Sequence, residues 1–362
     1  MRKPLPKGPL LPGLAEAMSA QPLCAGCGAK LGADELSAAL QALPAPHRAE
    51  VVSGPGDDAA VLRSQNGYQV ITTDHMRAFN SDARKMAHIA ALHALGDIWA
   101  MGARPQVALA QVVLPLMSPA KTTGMLEDVM LTASEVFRAA GADIVGGHSS
   151  IGSELTIGFT ITGMTERPVS KGGLKLGDVL ILTKPLGSGT IMAAEMALMR
   201  VPGLILGESV AAALASMTRA SGAAAAILAD TATAMTDVTG FGLGGHLLEM
   251  LDASSQGSNP ETSVGAVLRL EEVPLLPGAL MLAEAGAASS LAPANRAASI
   301  GRISGADSPR KAMLYDPQTG GGILAAVSGH QADSVLAALH EAGEPAAIIG
   351  YITKGPARIT LE

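Results

Sequence analysis

Apolar residues recur along this chain with two periods, and the alternation between them predicts its elements. From Leu31 to Leu43 they fall at helical spacing, and Pro44 and Pro46 stop that helix. Tyr68 to Asp74, rich in Val, Ile and Thr, reads as a strand with Asp74 at its end. A helix follows from about Ala83 to Met101, closed by Gly102, and their spacing puts His93 and Asp97 on one face of it. Val107 to Leu116 is strongly apolar and predicts a buried strand, and Thr122 to Ala140 predicts a helix with Gly141 as its stop. Another strand leads into Gly146-Gly147-His148-Ser149-Ser150, and Glu154 to Thr165 alternates as a further one. The order strand, helix, strand, helix, strand, strand describes an α/β domain over residues 48–168.

Near Lys171 to Asp178 the pattern turns to Gly and Lys, and Val179 to Thr183 opens a second series of strands and helices. Ala/Met-rich helices are expected at about 188–200 and 208–230, and a Ser/Gly/Asn/Pro loop between Asp252 and Thr262. The shift predicts a second domain over 169–362, as a chain too long for one hydrophobic core requires. Residues 1–47 hold a proline-interrupted leader, flexible over roughly its first 20 positions, and the segment around Cys27.

Composition narrows the function classes. Aromatics are 2% of the chain, so Ala, Leu, Val, Ile and 17 Met must build the core, with Trp99 the sole tryptophan. A net charge of −7 gives no electrostatic basis for binding nucleic acid or an anionic membrane, and Arg219 interrupts the longest apolar stretch. Two cysteines, Cys24 and Cys27, neither staple a chain of this length nor complete a zinc site, so a reducing cytoplasm is expected. These features favour a small-molecule role.

The chemistry concentrates in short motifs. In Cys24-Ala25-Gly26-Cys27-Gly28-Ala29-Lys30 a thiol lies near an ammonium that eases its ionisation, and the glycines admit a ligand close to the backbone. Four further motifs each set a carboxylate among small residues: Gly56-Asp57-Asp58-Ala59-Ala60, Thr72-Thr73-Asp74, Gly96-Asp97 and Thr236-Asp237-Val238-Thr239-Gly240. Such carboxylates are hard ligands suited to Mg²⁺, although each alone equally suits a helix cap or a turn. Were they to converge, charges ~4 Å apart at an effective dielectric near 20 would repel by about 4 kcal/mol per pair, and a divalent cation would be required. Gly146-Gly147-His148-Ser149 and Gly240 to Gly245 can offer backbone N–H groups to phosphate, without the Gly-Lys-Ser/Thr of a Walker loop. Asp316-Pro317-Gln318-Thr319-Gly320-Gly321-Gly322 reads as a tight connection between elements.

Together these motifs resemble the selenophosphate synthetase (selenide, water dikinase) family of the aminoimidazole-ribonucleotide-synthetase-like (PurM-like) superfamily, over about Leu23 to Ile352. The resemblance implies a two-domain α/β (α+β) architecture, with an N-terminal mixed-sheet domain that dimerises and a C-terminal α/β domain. It implies ATP-dependent synthesis of selenophosphate from selenide and water, releasing AMP and orthophosphate. It also implies Cys27 as the catalytic residue and Lys30 on the nucleotide phosphates. Asp58, Asp97 and Asp237 would hold Mg²⁺. ATP would be bound with help from Asp57, Asp74, Asp97 and the Gly146-Gly147-His148 turn, the last from the partner subunit of a homodimer. Ala29 stands where some members carry a second Cys, and Gly96 where a Ser is frequent. Another PurM-like ATP-dependent enzyme and a non-catalytic nucleotide-binding paralogue are the alternatives. Trp99, two residues after Asp97, is expected to report nucleotide binding by fluorescence.

Overall fold

The computed structural model describes residues 39–40, 42–44, 46–255 and 263–362. Most of the expected helix from Leu31, the leader, Cys24, Cys27 and Lys30 lie outside the described residues, as does the segment 256–262.

Two six-stranded sheets organise the chain. The first contains β1 (Val51–Ser53), β2 (Ala60–Ser64), β3 (Gly67–Arg77), β4 (Arg104–Pro115), β5 (Asp143–Gly152) and β6 (Thr156–Thr165), in spatial order β1-β2-β3-β6-β4-β5. Only β4 and β5 pair in parallel, across the helix α2 (Pro119–Ala139) that joins them. Helix α1 (Ala83–Ala100) starts at Asp82, whose carboxylate accepts from the backbone N–H groups of Arg84 and Lys85, and ends before Gly102, which is left-handed at φ 64°. It is apolar on almost every side because it is packed on every side: against β3 and β6, α2, and the second sheet's strand Ala232–Asp237. Phe137 of α2 meets Phe159 of β6 edge to face at 4.9 Å.

The second sheet has the order β12-β9-β11-β7-β10-β8, from β7 (Asp178–Leu182), β8 (Ala232–Asp237), β9 (Val264–Leu268), β10 (Ile323–Ser328), β11 (Ala347–Lys354) and β12 (Ile359–Leu361). Its helices include α3 (Ser188–Met196), α4 (Leu206–Met217), α5 (Gly222–Ala229), α6 (Gly242–Ser255) and, after three short helices, α10 (Ala332–Glu341).

Four expectations need correction. Tyr68–Asp74 is part of a longer strand, so Asp74 lies three residues inside β3, alternating inward with Val70, Thr72 and Met76. The apolar run of β4 is half-buried: Leu109 is 44% exposed on a face that no helix among the described residues covers. Gly146, Gly147 and His148 sit within β5 instead of in a turn, and Gly147 lacks room for a side chain because a Cβ would meet the Ala110 carbonyl. The helix expected over 208–230 is two, α4 and α5, bent by 50° at Thr218 to Ser221. Among the described residues no single helix is long and apolar enough to cross a membrane, and this bent pair reaches that length and composition only jointly.

Candidate active site

Three of the predicted carboxylates converge where the two sheets approach one another. Asp58 comes from the loop ahead of β2, Asp97 from the last turn of α1 and Asp237 from the last position of β8, and each offers one oxygen within 4.8 Å of the others. Sequence distance is bridged by packing. Helix α1 is held on the first sheet yet touches β8, and Asp237 comes so close that a Cβ at Gly96 would lie 2.6 Å from its Oδ2. The absent side chain at Gly96 is therefore what admits the second domain's carboxylate.

Neighbouring hydroxyls and one lysine orient the group. Thr72 Oγ1 donates to Asp97 Oδ2 at 2.6 Å, and Thr236 Oγ1 donates to Asp58 Oδ1 at 3.0 Å. Lys171, in the segment between β6 and β7, sets its Nζ 3.0 Å from Asp58 Oδ1 and 3.0 Å from Glu249 Oε2, and Glu249 faces His246 Nδ1 at 3.2 Å. The Lys171 backbone N–H also donates to Asp57 Oδ1 at 3.3 Å, as does that of Asp58 at 3.0 Å. Sequence reasoning marked Lys171 only as the edge of a domain; its position between two carboxylates was not visible without the fold.

The electrostatics ask for more positive charge than Lys171 provides. Burial pushes Asp58 up to about 8, with Lys171 opposing and Asp237 and Asp57 adding to the push. Burial likewise holds Asp97 well above the usual carboxylate range, reinforced by Asp237, Asp74 and Asp58. Burial lowers Lys171, but Asp58 and Glu249 outweigh it and keep the ammonium charged. That one charge is shared with Glu249, so it does not neutralise three converging carboxylates. Asp58 Oδ2 is buried and finds no hydrogen-bond partner among the described residues. An orphaned buried carboxylate oxygen within a three-carboxylate cluster fits a hard divalent cation in both charge and donor type.

The remaining predicted residues fall around this centre. Asp74 lies on the same inward face of β3 as Thr72, and its Oδ2 is 3.0 Å from His93 Nε2. The shared face expected for His93 and Asp97 thus meets β3 and the cluster. Gly146 to His148 lie on the exposed edge strand of the first sheet. Trp99 is turned away: half a turn past Asp97, it packs on Gly222 and lines a separate cavity of about 940 Å³ together with His88, Arg104 and Arg167. The fluorescence response expected of Trp99 would therefore travel through α1, from the side opposite Asp97. The glycines of α6 serve packing, since a Cβ at Gly242 would lie 2.7 Å from the Leu314 carbonyl oxygen.

The chain's similarities extend over both domains. Residues 56–165 match the AIR synthase related protein N-terminal domain and residues 175–361 the corresponding C-terminal domain. The selenide, water dikinase of Myxococcus xanthus is 37% identical over 341 residues, covering 92% of this chain and 93% of that protein. Among solved structures, AaThiL complexed with AMPPCP and TMP shares the fold at TM-score 0.64 and 18% identity, covering 91% of this chain and 93% of that one. Hydrogenase maturation protein HypE in complex with ATP does so at TM-score 0.57 and 17% identity, covering 89% of this chain and 86% of that one. With both domains matched and a relative of that identity aligned along nearly its whole length, the chain belongs to the AIR synthase related proteins and, among them, to the selenide, water dikinase family.

Proposed function

We infer that this chain makes selenophosphate from ATP, selenide and water, releasing AMP and orthophosphate. The observation that carries the inference is the convergence of Asp58, Asp97 and Asp237 from three separate parts of the chain, with one carboxylate oxygen that has no partner among the described residues. Phosphoryl transfer asks mainly for positioning and charge neutralisation, and this site is built for both. Asp58, Asp97 and Asp237 would hold Mg²⁺, which when bound neutralises triphosphate charge and makes phosphorus more electrophilic.

The chain's own residues supply the rest. Thr72 and Thr236 fix the orientations of Asp97 and Asp58, so the ligand oxygens are set before nucleotide arrives. Asp57 and Asp74 flank the cluster as nucleotide contacts, and Lys30 adds a cation for the phosphates. Cys27 holds or delivers selenium, or shields a reactive species; its thiolate is the soft partner that selenide chemistry calls for. The open face of the first sheet, with Leu109, Val145 and Ile151 exposed, supports a homodimer in which Gly146, Gly147 and His148 reach the partner's nucleotide. Residues 48–168 and 169–362 form the two domains, with Lys171 at the start of the second. A cytoplasmic setting keeps Cys24 and Cys27 reduced.

Phosphorus NMR with Mg-ATP and anaerobic selenide tests the reaction. A resonance split by selenium, with AMP and orthophosphate, is expected, and Cys27→Ala should abolish it. ATP that persists, or that is hydrolysed with no selenium-coupled product, would overturn the assignment.

A further inference from the structure

We propose that His93 is a positioning residue that ties Asp74 of the first sheet to the glycine turn of the second domain, so that the two domains jointly set the nucleotide carboxylate. The proposal rests on the reading of Asp74 as a nucleotide contact and adds to it the group that holds Asp74 in place.

The geometry is a chain of hydrogen bonds running through the buried centre of the molecule. His93, 3% exposed, lies on α1 between β3 and the segment ahead of β10. The Gly320 backbone N–H donates to His93 Nδ1 at 3.2 Å. A backbone N–H can only donate, so Nδ1 carries no proton, and the ring's proton sits on Nε2, 3.0 Å from Asp74 Oδ2. The imidazole is thereby fixed in one tautomer, aimed at one oxygen. The other oxygen, Oδ1, accepts from the backbone N–H of His75 at 2.7 Å, so the carboxylate is gripped by its own strand on one side and through His93 on the other.

The far end of the chain is also held. Lys184 Nζ, buried after β7, donates to the carbonyls of Gly320 at 2.9 Å, Arg219 at 2.6 Å and Ser216 at 3.3 Å. Gly320 therefore has its carbonyl pinned by Lys184 and its N–H committed to His93. A turn that looks like a plain connection in the sequence acts as the second domain's grip on the first domain's Asp74. A group arranged in this way fixes the direction of a carboxylate without touching substrate.

Two replacements separate positioning from packing. In His93→Gln the side-chain amide nitrogen reaches the place of Nε2 and can still donate to Asp74, whereas in His93→Asn the shorter amide reaches only the place of Nδ1 and serves Gly320. Binding of a non-hydrolysable ATP analogue with Mg²⁺, measured by calorimetry on the full chain, should weaken about tenfold or more in His93→Asn and stay within about threefold in His93→Gln. Melting temperatures of the two should fall by similar amounts. Nitrogen-15 NMR of the parent should show Nε2 protonated and Nδ1 bare. Equal nucleotide affinity in the two variants, or a ring protonated on Nδ1, would overturn the proposal while leaving the ATP assignment intact. A parent chain that binds no nucleotide would instead overturn the ATP assignment, and this proposal with it.

Discussion

The two sheets bury their faces differently. Along β10 of the second sheet, Ile323, Ala325 and Val327 enter one apolar cluster with Val335 and Leu339 of α10, while Leu324 and Ala326 enter another with Leu243 and Leu247 of α6. Both faces are covered, and the strand is a continuous apolar run. In the first sheet only one face is covered among the described residues, by α1 and α2; the other carries Thr73, Thr160 and Gln111 in a hydrogen-bonded row beside exposed Leu109, Val145 and Ile151. A sheet with one covered face is complete as a fold and incomplete as a surface. The fully covered sheet serves as a frame that brings in one carboxylate, Asp237, whereas the half-covered one carries the other predicted carboxylates and presents the face proposed above for a homodimer.

A charge placed on each sheet breaks this comparison most sharply. Ala325→Asp sets a carboxylate at a position with no exposure between packed helices, and an uncompensated buried charge of this kind exceeds a typical domain's margin of roughly 5–15 kcal/mol. Its expected result is loss of the cooperative melting transition. Leu109→Glu on the open face should instead melt near the parent, and under the proposed homodimer the parent should sediment as a dimer and Leu109→Glu as a monomer. A Leu109→Glu protein that keeps the parent's sedimentation coefficient would remove this face from the interface, and an Ala325→Asp protein that melts normally would refute the covered second sheet.

The carboxylates sharpen the comparison at the site. Asp97 belongs to the first region and Asp237 to the second, yet both enter one cluster with Asp58, so their loss should be felt alike. Asp97→Asn and Asp237→Asn are each expected to weaken Mn²⁺ binding, followed by electron paramagnetic resonance, by about tenfold or more, and to cut turnover by roughly a hundredfold. A variant that binds Mn²⁺ like the parent would take its residue out of the cluster.

Much of this was legible in the sequence because it is local. The helix from Ala83 was delimited within a residue, with Gly102 as its stop, and the shared face of His93 and Asp97 followed from helical spacing. The candidate metal ligands were visible as carboxylates among small residues. What escaped was set by tertiary contact. Strands β1 and β2 are short and flank a loop, so neither has enough alternation to stand out. The break after α4 comes where Lys184 draws on the Ser216 and Arg219 carbonyls, and nothing in an alanine-rich stretch announces it. The exposure of β4 depends on which elements cover it, so its apolar run read as buried. Lys171, Thr236 and Gly320 acquire these roles through partners at least 78 positions away.

The smallest effect separates two buried carboxylates, one in each region. Burial pushes Asp58 to about 8, with an oxygen that has no partner among the described residues, and burial pushes Asp316 only to about 6, because Thr190 and Gln318 hydrogen-bond it. Both folded values lie above the ordinary 3.8, so the folded protein binds protons that the unfolded chain has already released. The associated stability is fully present below the ordinary carboxylate value and is lost as pH rises, through about 6 for Asp316 and about 8 for Asp58. Chelator-treated protein should accordingly lose urea resistance in two stages across that window. Of these two, Asp58 alone belongs with Asp97 and Asp237 to the cluster where Mg²⁺ would compete with the proton, so saturating Mg²⁺ should flatten the stage near 8 and leave the stage near 6. Asp316→Asn should do the reverse, because an amide at that position still accepts from Thr190 and no longer titrates. If Mg²⁺ flattens both stages or neither, the two carboxylates do not differ in the way their partners imply, and the cation belongs somewhere other than the Asp58 cluster.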